Sequence, residues 1–338
     1  MRVGVNAGTD MYMEPFSAQQ FEQLLLAEVN ADKVSMRRVD DAVSRILRKK
    51  FELGLFEHPY ASADRLGDLG SAAHRALARQ AAAQSRVLLK NSGNALPLST
   101  SAKLYVAGRN ANDIGNQMGG WTIQWQGVSG AGVQPGTTIL DGIRSYAPSA
   151  VFSADASAPV GDATVGVVVV GETPYAEGLG DVGGPECGFC TREQLEEKSL
   201  SLQPGDRAVI DKLCAALPTC AVLVVSGRPQ LVTDQIGEMD ALVASWLPGS
   251  EGTGVADVLF GSQPFTGQLS VTWPASADQV PINVGDANYR PLFPFGWGPR
   301  TGAAAAGLVL GVAVVVGRLL GGRTGRVVRC AQHPGHRT

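Results

Sequence analysis

The chain has 338 residues, of which 44% are hydrophobic and 17% charged, a composition that excludes a disordered protein and fits one large or two ordinary domains. The net charge is −3, but residues 301–338 hold five arginines and no acidic residue, so residues 1–300 carry 23 basic and 31 acidic side chains, a net charge of −8. An acidic body without a basic stripe argues against nucleic-acid binding.

The first part of the chain is predicted to hold a strand end followed by helices. Residues 1–15, MRVGVNAGTDMYMEP, are typical of a strand end and lack the basic start and apolar core of a signal peptide. Apolar residues recur at helical spacing in SAQQFEQLLLAEV and in SMRRVDDAVSRILRKKFELG. In the second helix, Ser35 is the expected N-cap and Gly54 the expected C-terminal stop. A third helix is expected over residues 71–89.

After Pro97 the pattern changes to short apolar runs that alternate with helical stretches. The series begins with KLYVAG, TILDGIRSY, ATVGVVVVG, DRAVIDKLCAAL and CAVLVVSG, and continues with DALVASWLPG and TGVADVLFG. This alternation predicts an α/β domain over residues 98–300, with a mostly parallel sheet covered on both faces. Residues 60–97 are then a linker and the helix that leads into this domain.

Two glycine-rich loops follow predicted strands. GETPYAEGLGD (171–181) comes directly after four valines, and GRNANDIGNQMGGWTIQWQG (108–127) follows KLYVA. Ligands of parallel sheets bind beyond the carboxyl ends of the strands, so both loops are expected to face one crevice. Trp121 and Trp125 lie among glycines in the second loop, which is typical of a surface that stacks on a sugar ring; packing beneath the loop is the alternative. A neighbouring glutamate would then be the acid for a glycosidic oxygen.

The other motifs predict no cofactor or metal. GLGDVG (178–183) matches G-x-G-x-x-G, but seven residues separate it from Val170 and Gly-Gly-Pro follows where a helix should begin. A nucleotide-binding α/β protein is therefore a minor alternative. The chain contains no P-loop motif and no G-x-S-x-G.

The cysteines favour disulfides over metal binding. Cys187 and Cys190 form C-x-x-C, and with no second such motif a disulfide or free thiols are favoured over zinc. Cys214 and Cys220 flank a short helix-to-strand connection, and their spacing allows a small disulfide loop in an oxidising compartment.

The end of the chain, residues 301–338, differs in composition from the rest. GAAAAGLVLGVAVVVG (302–317) is an uncharged apolar run of 16 residues that ends at Arg318. A membrane-spanning helix needs about 20 residues, so a membrane anchor is the secondary interpretation. We expect an atypical apolar and basic tail that is foreign to the fold.

A series of long motifs resembles glycoside hydrolase family 3, in its β-glucosidase and exo-β-glucanase branch. The resemblance covers residues 5–299. The matching stretches are AGTDMYMEP, RVDDAVSRILRKKFELGLFEHP, SRVLLKNSGNALPL, GGWTIQWQG, VVVGETPYAE, SGRPQLV, ALVASWLPGSEGTGVADVLFG, FTGQLSVTWP, VPINVGDANY and PLFPFGWG.

The resemblance implies an architecture and a set of roles. Members of this family join a (β/α)8-type barrel to an α/β sandwich, with the active site between them. They hydrolyse β-glucosides or β-glucans with retention of the anomeric configuration. By that match Glu172 is the acid/base, with Glu177 as second choice. Trp121 matches a tryptophan that stacks on the sugar, and Met13 matches a methionine that lines the pocket near the nucleophile.

The chain also departs from the family pattern. The family nucleophile is an Asp in an S-D-W-type motif, and this chain contains no Asp-Trp pair, so no nucleophile is assigned. Residues 1–59 resemble only the last strand and helices of a barrel. We therefore expect the isolated chain to be inactive and to need the missing barrel in cis or in trans. A non-catalytic, truncated or sugar-binding half is the alternative.

The resemblance also bears on the cysteines, the ligand and the compartment. Cys214 and Cys220 match a disulfide pair of relatives, whereas Cys187 and Cys190 lie in an extra stretch, residues 182–198, and are interpreted as a local staple. The implied ligand is a β-linked glucose oligosaccharide or glucoside. Members of the family are secreted, although no signal peptide is visible here.

Overall fold

The computed structural model describes residues 1–181 and 199–301, and the chain divides into two compact units, Met1–Leu77 and Ala78–Thr338. The first unit is helical. Its helices are α1 (Arg2–Asn6), α2 (Ala18–Asn30), α3 (Met36–Glu52), a 3-10 helix (Ala63–Asp68) and the start of α4 (Ala72–Ser85), which continues into the second unit.

The ends of α3 confirm the sequence prediction. The Ser35 side chain accepts a hydrogen bond from the Arg38 N–H, and Gly54 adopts a φ of +65° just after the helix. A side-chain acceptor at the N-cap satisfies a backbone donor that the helix leaves unpaired, and glycine enters the left-handed region without a Cβ penalty.

The strand end predicted for residues 1–15 is wrong. Residues 2–6 form α1, in which the Val5 N–H donates to Met1 O and the Ala7 N–H to Val3 O. The backbone groups of this segment pair locally, and none of the six strands of the described chain includes residues 1–15.

The first unit leaves many apolar side chains exposed. No residue of α2 or α3 is buried. Phe16 is fully exposed, and Phe51 and Leu53 are more than half exposed.

The second unit is an α/β domain built on a six-stranded sheet in the order β1-β6-β5-β4-β2-β3. Among the strands of the described residues, four pairings are parallel and the β1–β6 pairing is antiparallel. The predicted mostly parallel sheet is therefore confirmed. The strands are β1 (Val87–Asn91), β2 (Leu104–Ala107), β3 (Val151–Phe152), β4 (Val165–Gly171), β5 (Thr219–Val225) and β6 (Ala241–Ala244).

Helices cover both faces of this sheet. Within residues 1–181 and 199–301, the remaining helices are α5 (Ile114–Met118), α6 (Ile139–Tyr146), α7 (Pro204–Ala216) and α8 (Gly252–Leu259), with 3-10 turns at Ser92–Asn94, Glu177–Gly180 and Ala277–Gln279. Along β4, Val167 and Val169 pack in one apolar cluster with α6 and α8, and Val168 and Val170 pack in the other with α7. Burial on both faces explains why this strand is an unbroken apolar run.

The helix expected over residues 71–89 is shorter than predicted. It ends at Ser85, and Val87–Asn91 form β1, which pairs with β6. The sequence VLLK suits either a helix or a buried strand, and the partner strand more than 150 residues later decides between them.

Candidate active site

The two predicted glycine-rich loops leave the sheet from neighbouring strands, β2 and β4. The connection from β2 runs outward to β3, whereas the connection from β4 runs to β5 on the opposite side. The chain thus reverses direction between β2 and β4, and in open α/β sheets the crevice at such a reversal is where ligands bind.

Glycine is required where β4 ends. Gly171 has a φ of +145°, and a Cβ at this position would lie 1.8 Å from Val225 O on β5. The chain can turn out of the sheet here only because no side chain is present. Glu172 follows immediately, and its N–H donates to Val225 O.

Glu172 is buried and both of its carboxylate oxygens are bound. The residue is only 3% exposed. Arg228 Nε and Nη2 each lie 2.7 Å from Oε1, while Tyr175 Oη, at 3.0 Å, and Ser226 Oγ donate to Oε2. This carboxylate therefore joins the ends of two neighbouring strands through its hydrogen bonds.

Glu177 has the opposite surroundings. It lies five residues further along the same loop, at the start of the 3-10 turn Glu177–Gly180, and is exposed with a left-handed φ of 51°. Within residues 1–181 and 199–301, no donor to its carboxylate is found. A non-glycine residue in this backbone region is uncommon and often marks a functional site.

The tryptophan loop packs directly against the glutamate loop, as the sequence predicted. The Ala176 N–H donates to Gln126 Oε1 at 2.7 Å, and a Cβ on Gly120 would lie 2.1 Å from Tyr175 O. Ala176 precedes Glu177, so the two loops meet one residue before Glu177 in the chain.

Trp121 and Trp125 are surface residues. They are 70% and 52% exposed, respectively. Their ring centroids are 6.2 Å apart in an edge-to-face arrangement, and the backbone N–H of Trp121 donates to the backbone oxygen of Trp125. The alternative in which these rings are packed beneath the loop is wrong, because a packing residue would be buried. Two large aromatic faces are instead presented to solvent.

The other predicted site residues have separate outcomes. Met13 belongs to the first unit and is 91% exposed, and its role stays a prediction. The Cys214–Cys220 disulfide is present and ties the end of α7 to β5. Cys187 and Cys190 lie outside the described residues. Within the described chain, no cluster of three or more metal-ligating side chains occurs.

Sequence reasoning missed Arg228, Ser226 and Tyr175. A signal was available for the first two, because SGR follows β5 in the same way that GET follows β4, and both strands end at the same edge of the sheet. Polar residues after adjacent parallel strands are expected to meet. Tyr175 lies inside the acidic loop, but the sequence predicted no role for it.

The remaining sequence features bear less on the site. The 3-10 turn Glu177–Gly180 stands where a dinucleotide fingerprint would open a helix, and residues 182 and 183 of that motif lie outside the described residues. None of the helices within residues 1–181 and 199–301 has the length and apolar character of a membrane span. The run 302–317 lies beyond the described residues.

Fold and site together define an α/β domain that presents an exposed carboxylate and an aromatic surface at the reversal point of a parallel sheet. The family model described as the glycosyl hydrolase family 3 C-terminal domain matches residues 86–300. The chain belongs to glycoside hydrolase family 3.

Known relatives are glycosidases of greater length. The chain is 30% identical over 325 residues to a lysosomal β-glucosidase of Dictyostelium discoideum, and the match covers 87% of this chain and 38% of the relative. A solved exo-1,3/1,4-β-glucanase from a Pseudoalteromonas species is 36% identical with a TM-score of 0.72, covering 88% of this chain and 38% of that one. A β-glucosidase from Listeria innocua, solved in complex with glucose, is 25% identical with a TM-score of 0.67, covering 88% and 43%. The chain thus spans less than half the length of these relatives.

Proposed function

We propose that this chain supplies the proton donor and an aromatic sugar-binding surface to a retaining β-glucosidase or exo-β-glucanase. Membership of glycoside hydrolase family 3 supports this, as do the names of the relatives and the glucose bound to the Listeria innocua enzyme. The ligand is a β-linked glucose oligosaccharide or a β-glucoside.

The observation that carries the proposal is the contrast between the two glutamates of the acidic loop. A general acid must come within hydrogen-bond reach of the leaving oxygen. Glu172 is buried and both its oxygens are engaged by Arg228, Tyr175 and Ser226. Glu177 is exposed beside the tryptophan loop. We therefore assign the acid/base role to Glu177, the second choice from sequence, and a structural role to Glu172.

In this proposal the sugar lies against the tryptophan loop. The apolar C–H face of a pyranose stacks on the exposed faces of Trp121 and Trp125, which Gln126 anchors next to Glu177 through Ala176. Glu177 protonates the glycosidic oxygen as the bond to the leaving group breaks, and then removes a proton from the incoming water. The same carboxyl group thus donates a proton in the first step and accepts one in the second.

The nucleophile must come from elsewhere. Retention requires a second carboxylate that attacks the anomeric carbon, and no residue of this chain is assigned to that role. The chain alone is therefore inactive. The exposed apolar side chains of the first unit, among them Phe16, Phe51 and Leu53, support a covering barrel in the same or a separate polypeptide.

The compartment is proposed to be oxidising and outside the cytosol. The Cys214–Cys220 disulfide supports this, because such bonds are rare where thiols are kept reduced. The lysosomal relative from Dictyostelium discoideum agrees with it.

The test of the proposal is hydrolysis of a chromogenic β-glucoside by two proteins. One is the purified chain. The other joins this chain to the part of the Pseudoalteromonas glucanase that the chain does not cover, here called the fused enzyme. We expect no turnover by the chain and turnover by the fused enzyme. Turnover by the chain alone would show that it contains its own nucleophile and would overturn the division of roles.

A further inference from the structure

We propose that Arg228 is a positioning residue that holds the loop of Glu177, residues 172–180, in its working conformation. The inference rests on the proposed role of Glu177. Arg228 does not approach the reacting atoms in this account; it acts through the backbone that carries the carboxylate.

The guanidinium group reaches the loop at three places. Nε and Nη2 both bind Glu172 Oε1, at the first residue of the loop. Nη1 donates to Gly180 O, at the end of the 3-10 turn that begins with Glu177. The guanidinium carbon lies 4.6 Å from the centre of the Tyr175 ring, in the middle of the loop. One side chain therefore connects the start, the middle and the end of the segment.

Arg228 itself is held by a rigid element. It stands three residues after β5, and its N–H donates to Ser226 Oγ, the same hydroxyl that donates to Glu172 Oε2. Its side chain is only 16% exposed. The loop is thereby tied to the residues that directly follow a central strand of the sheet, and a catalytic group needs a supporting contact of this kind to keep a fixed position.

The contacts require arginine rather than positive charge alone. Arginine offers a planar fork of five donors and a flat face that stacks on an aromatic ring, whereas lysine offers one ammonium group. A lysine at position 228 can neutralise Glu172 but cannot also bind Gly180 O and cover Tyr175. The conservative substitution Arg228→Lys is thus expected to release the end of the loop.

The test measures cleavage of the Glu177–Gly178 bond by a glutamate-specific protease, because a protease needs a released segment at the bond it cuts. The matched control is Arg79→Lys, since Arg79 also binds a buried carboxylate with two nitrogens, at Asp257, and lies away from this loop. Fragments are identified by mass spectrometry, and thermal midpoints are recorded for every variant.

We expect Arg228→Lys to accelerate cleavage after Glu177 at least about tenfold. The cleavage rate of Arg79→Lys should stay within about twofold of that of the unmodified chain, although both variants lose a similar amount of thermal stability. Glu172→Gln, which removes the charge that Arg228 binds, is expected to accelerate the same cleavage and provides a second route if Arg228→Lys does not fold. Equal acceleration by Arg228→Lys and Arg79→Lys, or none by Arg228→Lys and Glu172→Gln, would overturn the inference. The protease assay measures how firmly the loop is held, whereas the fused enzyme measures glycoside hydrolysis. A negative result in one experiment therefore does not decide the other.

Discussion

Arg228 binds the buried carboxylate of Glu172 across 56 residues of sequence, with two nitrogens each 2.7 Å from the same oxygen. Two hydroxyl groups complete the shell around Glu172. This ion pair joins the carboxyl ends of β4 and β5, and it leaves Glu177 as the exposed glutamate of the loop. The difference between the two glutamates has consequences for stability as well as for chemistry.

Replacing each glutamate by glutamine should separate their roles without any assay of turnover. Glu172→Gln is expected to lower the free energy of unfolding by about 2 kcal/mol, because hydrogen bonds to a charged group are lost and Arg228 is left without its counter-charge. Glu177→Gln should change it by no more than about 0.5 kcal/mol, as is usual for a surface site. Urea unfolding followed by tryptophan fluorescence gives both values. Equal losses of unfolding free energy in the two variants would contradict the assignment of a structural role to Glu172 alone.

The two exposed tryptophans should bind sugar. Trp121→Ala and Trp125→Ala are each expected to weaken binding of a β-linked glucose disaccharide about tenfold, which corresponds to about 1.4 kcal/mol. Trp297→Phe serves as the control, because Trp297 lies outside the loop and its indole N–H donates to Leu89 O. Titration calorimetry with millimolar disaccharide is the measurement. If neither alanine variant binds more weakly than the control, the rings are not a sugar surface.

A second ion pair, between the buried Asp257 and the partly exposed Arg79, should make the α/β domain sensitive to acid. Burial raises the pKa of Asp257, but hydrogen bonds from Arg79 and Tyr146 outweigh this effect and hold the pKa below its ordinary value of 3.8. A pKa that is lower in the folded state stabilises the fold above the unfolded-state pKa, and that contribution is lost as the pH falls through the folded-state value.

Asp257→Asn is therefore expected to cost about 3 kcal/mol at pH 7, with the difference from the unmodified chain shrinking below about pH 4. Urea midpoints measured between pH 7 and pH 3 provide the comparison. A difference that stays constant over this range would mean that the charge of Asp257 contributes nothing to folding.

The Cys214–Cys220 disulfide closes a short loop between α7 and β5. Replacing both cysteines by serine should lower the free energy of unfolding by about 2 kcal/mol, because the unfolded chain regains the freedom of that loop. Added reductant should lower the stability of the unmodified chain by a similar amount more than it lowers that of the double variant, in which Cys187 and Cys190 remain. An equal loss in the two proteins would mean that the Cys214–Cys220 disulfide does not stabilise the fold.

Much of the α/β domain follows from local sequence, but its first strand and the roles at its site do not. Val167–Val170 is predicted as a buried strand because a continuous apolar run of this length fits a sheet covered on both faces. Val87–Leu89 is mistaken for a helix because its pairing with β6 is not visible locally. The first unit shows the same limit, since a strand is expected where residues 2–6 form α1.

The acidic loop follows β4 as the sequence predicts, but the family motif ranks Glu172 above Glu177 for the acid/base role, and the surroundings of each side chain are not visible in the sequence. Both lie just past β4, and each belongs to a motif of the same family. The partners of Glu172, above all Arg228 and Ser226 from beyond the end of β5, separate a bound carboxylate from an exposed one. Long-range partners of this kind decide the roles of residues that local patterns place side by side.

The most direct test of the account compares two leaving groups in the fused enzyme carrying Glu177→Gln. Phenyl β-glucoside needs a proton on its departing oxygen, whereas 2,4-dinitrophenyl β-glucoside has an acidic leaving group that departs without one. We predict that Glu177→Gln lowers kcat/KM for the phenyl glucoside by about 10²-fold or more and affects the dinitrophenyl glucoside far less. If the variant retains kcat/KM on both substrates, or if Glu172→Gln alone produces this dependence on the leaving group, Glu177 is not the proton donor.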